Sequence, residues 1–128
     1  MMEYNEAVPE HARVRRNKDW INKMDSISLV PGDVIQIRDG ERVPADMRII
    51  ECTSNCQFDA SVITGDSTRR SCSSITSSSD YISSPNMAFL GFLCTEGNCK
   101  GIVVSTADRT VIGTMINQKK WPPKAPNS

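Results

Sequence analysis

With 128 residues, 38% of them hydrophobic and 23% charged, the chain can bury one modest core and has no room for two full domains. Lys+Arg 15 against Asp+Glu 15 gives a formal net charge of +0, so no global field draws it to nucleic acid or anionic lipid. The longest apolar run, Met87 to Cys94, falls far short of the roughly 20 residues a bilayer-spanning helix needs, which excludes a self-contained transporter.

Residues 1–11 show no hydrophobic period and read as a disordered leader, without the basic-then-apolar pattern of a secretory signal. From Ala12 the pattern is one of short strands and turns. Ala12 to Arg16 and Trp20 to Met24 flank Asn17-Lys18-Asp19 and predict a hairpin. Pro31-Gly32-Asp33 launches a strand over Val34 to Arg38, with Ile35 and Ile37 on one face, and Asp39-Gly40 ends it. Val43-Pro44-Ala45-Asp46 leads into a strand over Met47 to Ile50. Gln57 to Ile63 alternates, with Phe58, Ala60 and Val62 on one side, and predicts one strand up to Ile63.

Residues 67–84 are dominated by serine and threonine and predict a flexible loop, because they offer little to bury. Met87 to Cys94 and Lys100 to Thr106 predict two further strands around a Glu96-Gly97-Asn98 turn. Asp108 is the expected cap of a closing helix that places Val111, Ile112, Met115 and Ile116 on one face. Prolines 122, 123 and 126 stop that helix, and residues 118–128 read as a disordered tail. The expected body is thus a mainly β domain over 12–117 with one short C-terminal helix. Its expected core includes Ile49, Phe58, Val62, Phe89, Val103 and Ile112.

Most chemistry is poorly served. The one histidine, His11, lies in the leader, no Gly-x-Ser-x-Gly elbow occurs, and no phosphate-cradling Gly-x-x-x-x-Gly-Lys is present. The basic group Arg13, Arg15, Arg16 and Lys18 lacks interleaved aromatics and reads as a solvated hairpin face. Five cysteines without a secretory signal suit a reducing compartment. Cys52 with Cys56, and Cys94 with Cys99, are spaced more widely than a Cys-x-x-Cys knuckle. They read as buried or incidental thiols, and no metal site is expected.

The residues that stand out are Thr64-Gly65-Asp66-Ser67, a turn that would carry an acidic side chain to a loop tip. Alone they are an ordinary polar turn. They follow Val30-Pro31-Gly32-Asp33-Val34, the run Arg42 to Ile50, and Asp59-Ala60-Ser61-Val62-Ile63. Asn86-Met87-Ala88-Phe89, Cys94-Thr95-Glu96-Gly97 and the run Gly101 to Gly113 continue the series. In order and spacing this series resembles the actuator domain of P-type cation-transporting ATPases, most closely the sodium/potassium and hydrogen/potassium pump branch, over Ala12 to Ile116.

The resemblance implies a distorted jelly roll that turns during transport and docks a Thr-Gly-Glu-Ser loop on the aspartyl phosphate of a separate domain. There a carboxylate orients the attacking water. The implied catalytic loop here is Thr64, Gly65, Asp66 and Ser67, with Asp66 in place of the glutamate. Asp66 is shorter by one carbon–carbon bond, about 1.5 Å. Misplacement of about 1 Å can cost on the order of 10²-fold in rate. Thr68-Arg69 stands where Glu-Pro is usual, and Ala107 where glycine is.

The implied partners are the phosphorylation and nucleotide-binding domains of a pump, with membrane contact only through such a parent and no nucleic acid. No cofactor is expected in this chain, since ATP and Mg2+ would bind the other domains. The implied location is the cytosolic face of a membrane, or the cytoplasm if the segment is expressed alone. The sequence lacks the Asp-Lys-Thr-Gly phosphorylation motif, so the segment by itself is not expected to hydrolyse ATP. An alternative is a stand-alone module acting in trans on a pump, and another is a truncated product without activity.

Overall fold

The chain reverses first at Asn17 and Lys18, whose φ of 54° and 70° supply the paired left-handed conformations that a two-residue hairpin turn requires. The flanking strands are β1 (His11–Arg16) and β2 (Asp19–Asp25). This is a computed structural model, and it describes residues 3–75 and 80–123. The remaining strands are β3 (Val34–Arg38), β4 (Asp46–Cys52), β5 (Gln57–Asp59), β6 (Arg69–Ser71), β7 (Met87–Ala88), β8 (Leu93–Glu96) and β9 (Asn98–Ser105). Three short α-helical segments accompany them among the described residues: α1 (Tyr4–Ala7) before β1, α2 (Ser61–Thr64) between β5 and β6, and α3 (Val111–Asn117) after β9.

Six strands pair antiparallel in the order β2-β1-β3-β9-β4-β7, and three more in the order β6-β5-β8. Alternation in β3 buries Ile35 and Ile37, as the pleat demands. The core lies between the sheets and under α3. Its expected members Ile49, Phe58, Val62, Phe89, Val103 and Ile112 are all buried. Phe58 and Phe89 both pack on Phe92, with ring centroids 6.0 Å and 5.4 Å apart. The mainly β body with one short C-terminal helix is therefore as expected.

Several boundaries differ from the sequence expectation. The strand predicted up to Ile63 stops at Asp59, because the Asp59 carboxylate accepts the Ser61 N–H at 2.8 Å and turns the chain into α2. The helical turn still buries both Val62 and Ile63, so the apolar positions are satisfied without a strand. The run Met87 to Cys94 is two strands in two different sheets, joined by a turn in which Phe92 N–H donates to Phe89 C=O at 2.9 Å. The cap of α3 is Thr110, not Asp108: the Thr110 hydroxyl accepts the Gly113 N–H at 3.0 Å. Asp108 sits one element earlier, in the 3₁₀ turn Ala107–Arg109.

The serine-rich loop is anchored at both ends. Its Arg69–Ser71 segment forms β6 along β5, and Tyr81 packs edge-on to Phe89 at 5.2 Å. Residues 76–79, also expected to be flexible, lie outside the described residues. The leader contains α1, with Ala7 fully buried, and the tail is fastened by Trp121, whose indole N–H donates to Val62 C=O at 2.8 Å. Tail residues 124–128 lie outside the described residues.

One side chain holds three of these elements together. Asp46, at the start of β4, is 1% exposed and accepts two backbone N–H groups, Leu90 at 2.9 Å and Val111 at 2.8 Å. It joins the large sheet to the 89–92 turn and to the first residue of α3. Burial pushes its carboxyl up to about 6, against the lowering effect of those two donors.

Candidate functional site

The loop Thr64–Ser67 is aimed by the end of α2. Gly65 adopts φ 75°, and its N–H closes the turn on Ser61 C=O at 2.8 Å. In that left-handed conformation a Cβ would crowd the following carbonyl, so glycine suits the position. The Thr64 hydroxyl accepts the Asp66 N–H at 3.1 Å and lies 3.3 Å from Ala60 C=O as a donor. This places Asp66 beyond the last buried residue of the helical turn. Its side chain is exposed, as are Thr64 and Ser67.

The Asp66 carboxylate is oriented locally. Its Oδ1 accepts both the N–H of Thr68 at 3.1 Å and the Thr68 hydroxyl at 2.9 Å. Thr68 thus turns the carboxylate toward its own backbone through both its N–H and its hydroxyl. A shallow cleft of about 210 Å³ opens beside it, lined by Ala60, Thr64, Asp66, Thr68, Arg69 and Arg70.

The two arginines of that cleft are held by different means. Arg69 pairs with Asp59 across the β5–β6 register at 3.2 Å. Arg70 donates to Ile82 C=O at 2.5 Å and lies 5.4 Å above the Phe92 ring. Burial holds the Arg70 guanidinium somewhat below its ordinary value, though it remains a cation at any physiological pH. A carboxylate at the rim with two cations behind it can orient water or receive an anionic group.

The structure brings Thr64, Gly65, Asp66 and Ser67 together as one exposed loop. The other signature residues serve the frame. Asp33 is buried and takes two bonds from Arg16, at 2.9 Å and 2.6 Å, and one from Val30 N–H at 3.0 Å. The Arg16 guanidinium holds its carboxyl below the usual range. Sequence reasoning missed Asp33 and Asp46 as structural anchors. A signal existed, since each stands beside apolar residues at the mouth of a strand.

The cysteines also group otherwise than their spacing suggests. The Sγ atoms of Cys56, Cys72 and Cys99 all lie within 4.8 Å of one another. Hydrogen bonding with the neighbouring thiols of Cys72 and Cys94 pushes the Cys56 thiol above its ordinary value. The Cys56 thiol does the same to Cys99.

The family model of the P-type ATPase actuator domain matches residues 6–120. The chain belongs to that family. It is 37% identical over 110 residues to the potassium-transporting ATPase alpha chain 1 of Xenopus laevis, covering 86% of this chain and 10% of that one. It is also 37% identical over 117 residues to the sodium/potassium-transporting ATPase subunit alpha-2 of Gallus gallus, covering 91% and 11% respectively. The actuator-domain chain therefore spans about a tenth of the length of these relatives.

Among solved structures the fold is similar to a zinc-transporting PIB-type ATPase in the E2.Pi state, with a TM-score of 0.67 and 24% identity over 96% of this chain and 19% of the other. A second structure of a zinc-transporting PIB-type ATPase, in a different state, gives a TM-score of 0.63 at 22% identity, covering 94% and 19%. These likenesses concern the fold. No helix among the described residues of this actuator domain is long and apolar enough to cross a membrane.

Proposed function

We propose that this actuator domain serves a cation pump by docking the loop Thr64–Ser67 on an aspartyl phosphate held by a separate phosphorylation domain. Asp66 is the group that orients water there. The observation that carries the reading is the placement of an exposed carboxylate one residue past a left-handed Gly65, at the tip of a turn fixed from behind by buried Val62 and Ile63. A carboxylate so placed can accept a proton from an in-line water without forming a covalent bond to the phosphoryl group. Gly65 presents no side chain to a docking surface, so the backbone can approach closely.

The partners are then the phosphorylation and nucleotide-binding domains of the pump, and ATP and Mg2+ are bound there. The membrane is reached only through the parent, and the domain lies on its cytosolic face. The transported ion is decided elsewhere in such a protein.

The geometry makes a specific deficit. Asp66 is one bond short of the family's glutamate and is drawn toward Thr68. Grafted into a related full-length pump in place of its own actuator domain, this segment should permit phosphorylation and slow phosphoenzyme breakdown. Asp66→Glu in the graft should restore breakdown by on the order of 10-fold, read as phosphoenzyme decay in a chase. Equal decay with and without the change would reject water positioning by this side chain.

A further inference from the structure

The cysteine cluster takes no part in the loop chemistry, and it is assembled from parts remote in sequence. Cys56 ends the turn after β4, Cys72 follows β6 in the small sheet, and Cys99 is on β9 in the large one. Cys72 N–H donates to Cys56 C=O at 3.0 Å, which fixes those two backbones side by side. Cys99 is brought in by the β4–β9 ladder, where it stands opposite Cys52. The turn that carries Cys56 is pressed against Gly97: a Cβ there would lie 2.8 Å from Cys56 Cα. Glycine at position 97 therefore permits the close approach that closes the cluster.

From this geometry we infer that Cys56, Cys72 and Cys99 form a thiolate site for a thiophilic d10 cation, zinc(II) or copper(I), that clamps the small sheet to the large one. Zinc–sulfur bonds of about 2.3 Å set sulfurs about 3.8 Å apart in a tetrahedron, so a contraction of at most about 1 Å from the observed spacing is needed. The ligand set is all sulfur, which selects soft ions over calcium or magnesium. Cys56 and Cys99 are 1% exposed, and Cys72 is half-buried and offers the path in. Cys94, wholly buried, is not one of the three: its thiol is turned to the carbonyls of Glu96 and Gly97, at 3.4 Å and 3.6 Å. Each thiol that binds releases its proton to solvent, and no electron is transferred. Three converging sulfurs suit one ion better than a disulfide, which would use two and leave the third.

The test is equilibrium dialysis of the reduced protein against Zn2+ or against Cu+ kept reduced by ascorbate, with bound metal counted by elemental analysis. One ion per chain is expected for at least one of the two, with a rise in the thermal unfolding midpoint. Cys72→Ser, at the half-buried position, should fold and lose at least 10-fold in affinity. Cys52→Ser, outside the trio, should bind as before. Retention of neither ion would overturn the site, as would equal binding by Cys72→Ser or an equal loss in Cys52→Ser. Rapid air oxidation to a Cys56–Cys72 disulfide without metal uptake would also overturn it and identify a redox pair.

Discussion

Asp46 and Asp66 each accept two hydrogen bonds, yet they do opposite work. The donors to Asp46 are backbone groups far along the chain, at Leu90 and Val111, and the carboxylate is buried. Both donors to Asp66 belong to Thr68, two residues away, and the carboxylate faces solvent. A long-range, buried carboxylate holds elements in place, and its removal leaves distant N–H groups without partners. A locally held, exposed one can be moved or replaced at little cost to the frame. The difference separates the part of this actuator domain that holds the frame from an exposed part that the frame does not need.

The sharpest way to break the comparison is the same substitution at both positions. Asp46→Ala should cost about 3 kcal/mol at pH 7, because two buried donors lose a charged acceptor. Asp66→Ala should change stability by less than about 0.5 kcal/mol, as for other exposed sites. Urea unfolding of the two variants measures both, and similar midpoints would erase the distinction.

Acidity sharpens it further. The Asp46 carboxyl titrates at about 6 in the folded state against 3.8 for the ordinary group, so the native state binds its proton more tightly. Folding stability from this group is therefore greatest at low pH and falls as pH rises between roughly 4 and 6, by about 2 kcal/mol. Asp33 has the reverse sign: its carboxyl is lowered by Arg16, so its contribution is present at neutral pH and is lost in stronger acid. Asp46→Asn should remove the slope between about pH 4 and 6 in a series of urea titrations.

Two smaller effects concern the loop. Gly65→Ala places a Cβ at φ 75° and should cost about 1 kcal/mol by thermal unfolding. Thr68→Ala removes one of the two donors to Asp66 Oδ1 and should shift stability by under about 0.5 kcal/mol. In a grafted pump it should speed phosphoenzyme decay by up to about fivefold, the equivalent of one weak hydrogen bond. No change in decay would mean that Thr68 does not restrain the carboxylate.

Local pattern carried the first half of the sheet well. The hairpin around Asn17-Lys18, strand β3 and the position of Gly65 all follow from turn residues and alternation within a few residues of each other. What escaped was decided by distant neighbours. Alternation through Ile63 could not reveal that Asp59 would cap Ser61, because a helical turn buries Val62 and Ile63 equally well. The apolar run at Met87–Cys94 carries no mark of its passage from one sheet to the other. Thr110 rather than Asp108 caps α3 because Asp108 is taken up in the 3₁₀ turn Ala107–Arg109 and the helix starts only at Val111. Cys72 lies in a serine-rich stretch whose composition hides its meeting with Cys56. The candidate loop itself was legible as a motif, whereas its restraint by Thr68 depends on how the turn folds back on itself.

Trp121 gives this domain a mechanical property. Its ring meets Tyr4 edge-on at 6.4 Å, so the two ends of the described chain lie side by side. Its indole also grips the carbonyl of Val62, in the turn that ends at Gly65. Force on Trp121 thus has a direct route to the base of the Thr64–Ser67 loop through that hydrogen bond, beside the covalent path through α3 into β9 and the packing of its ring on the core. The tether and the tool share a root.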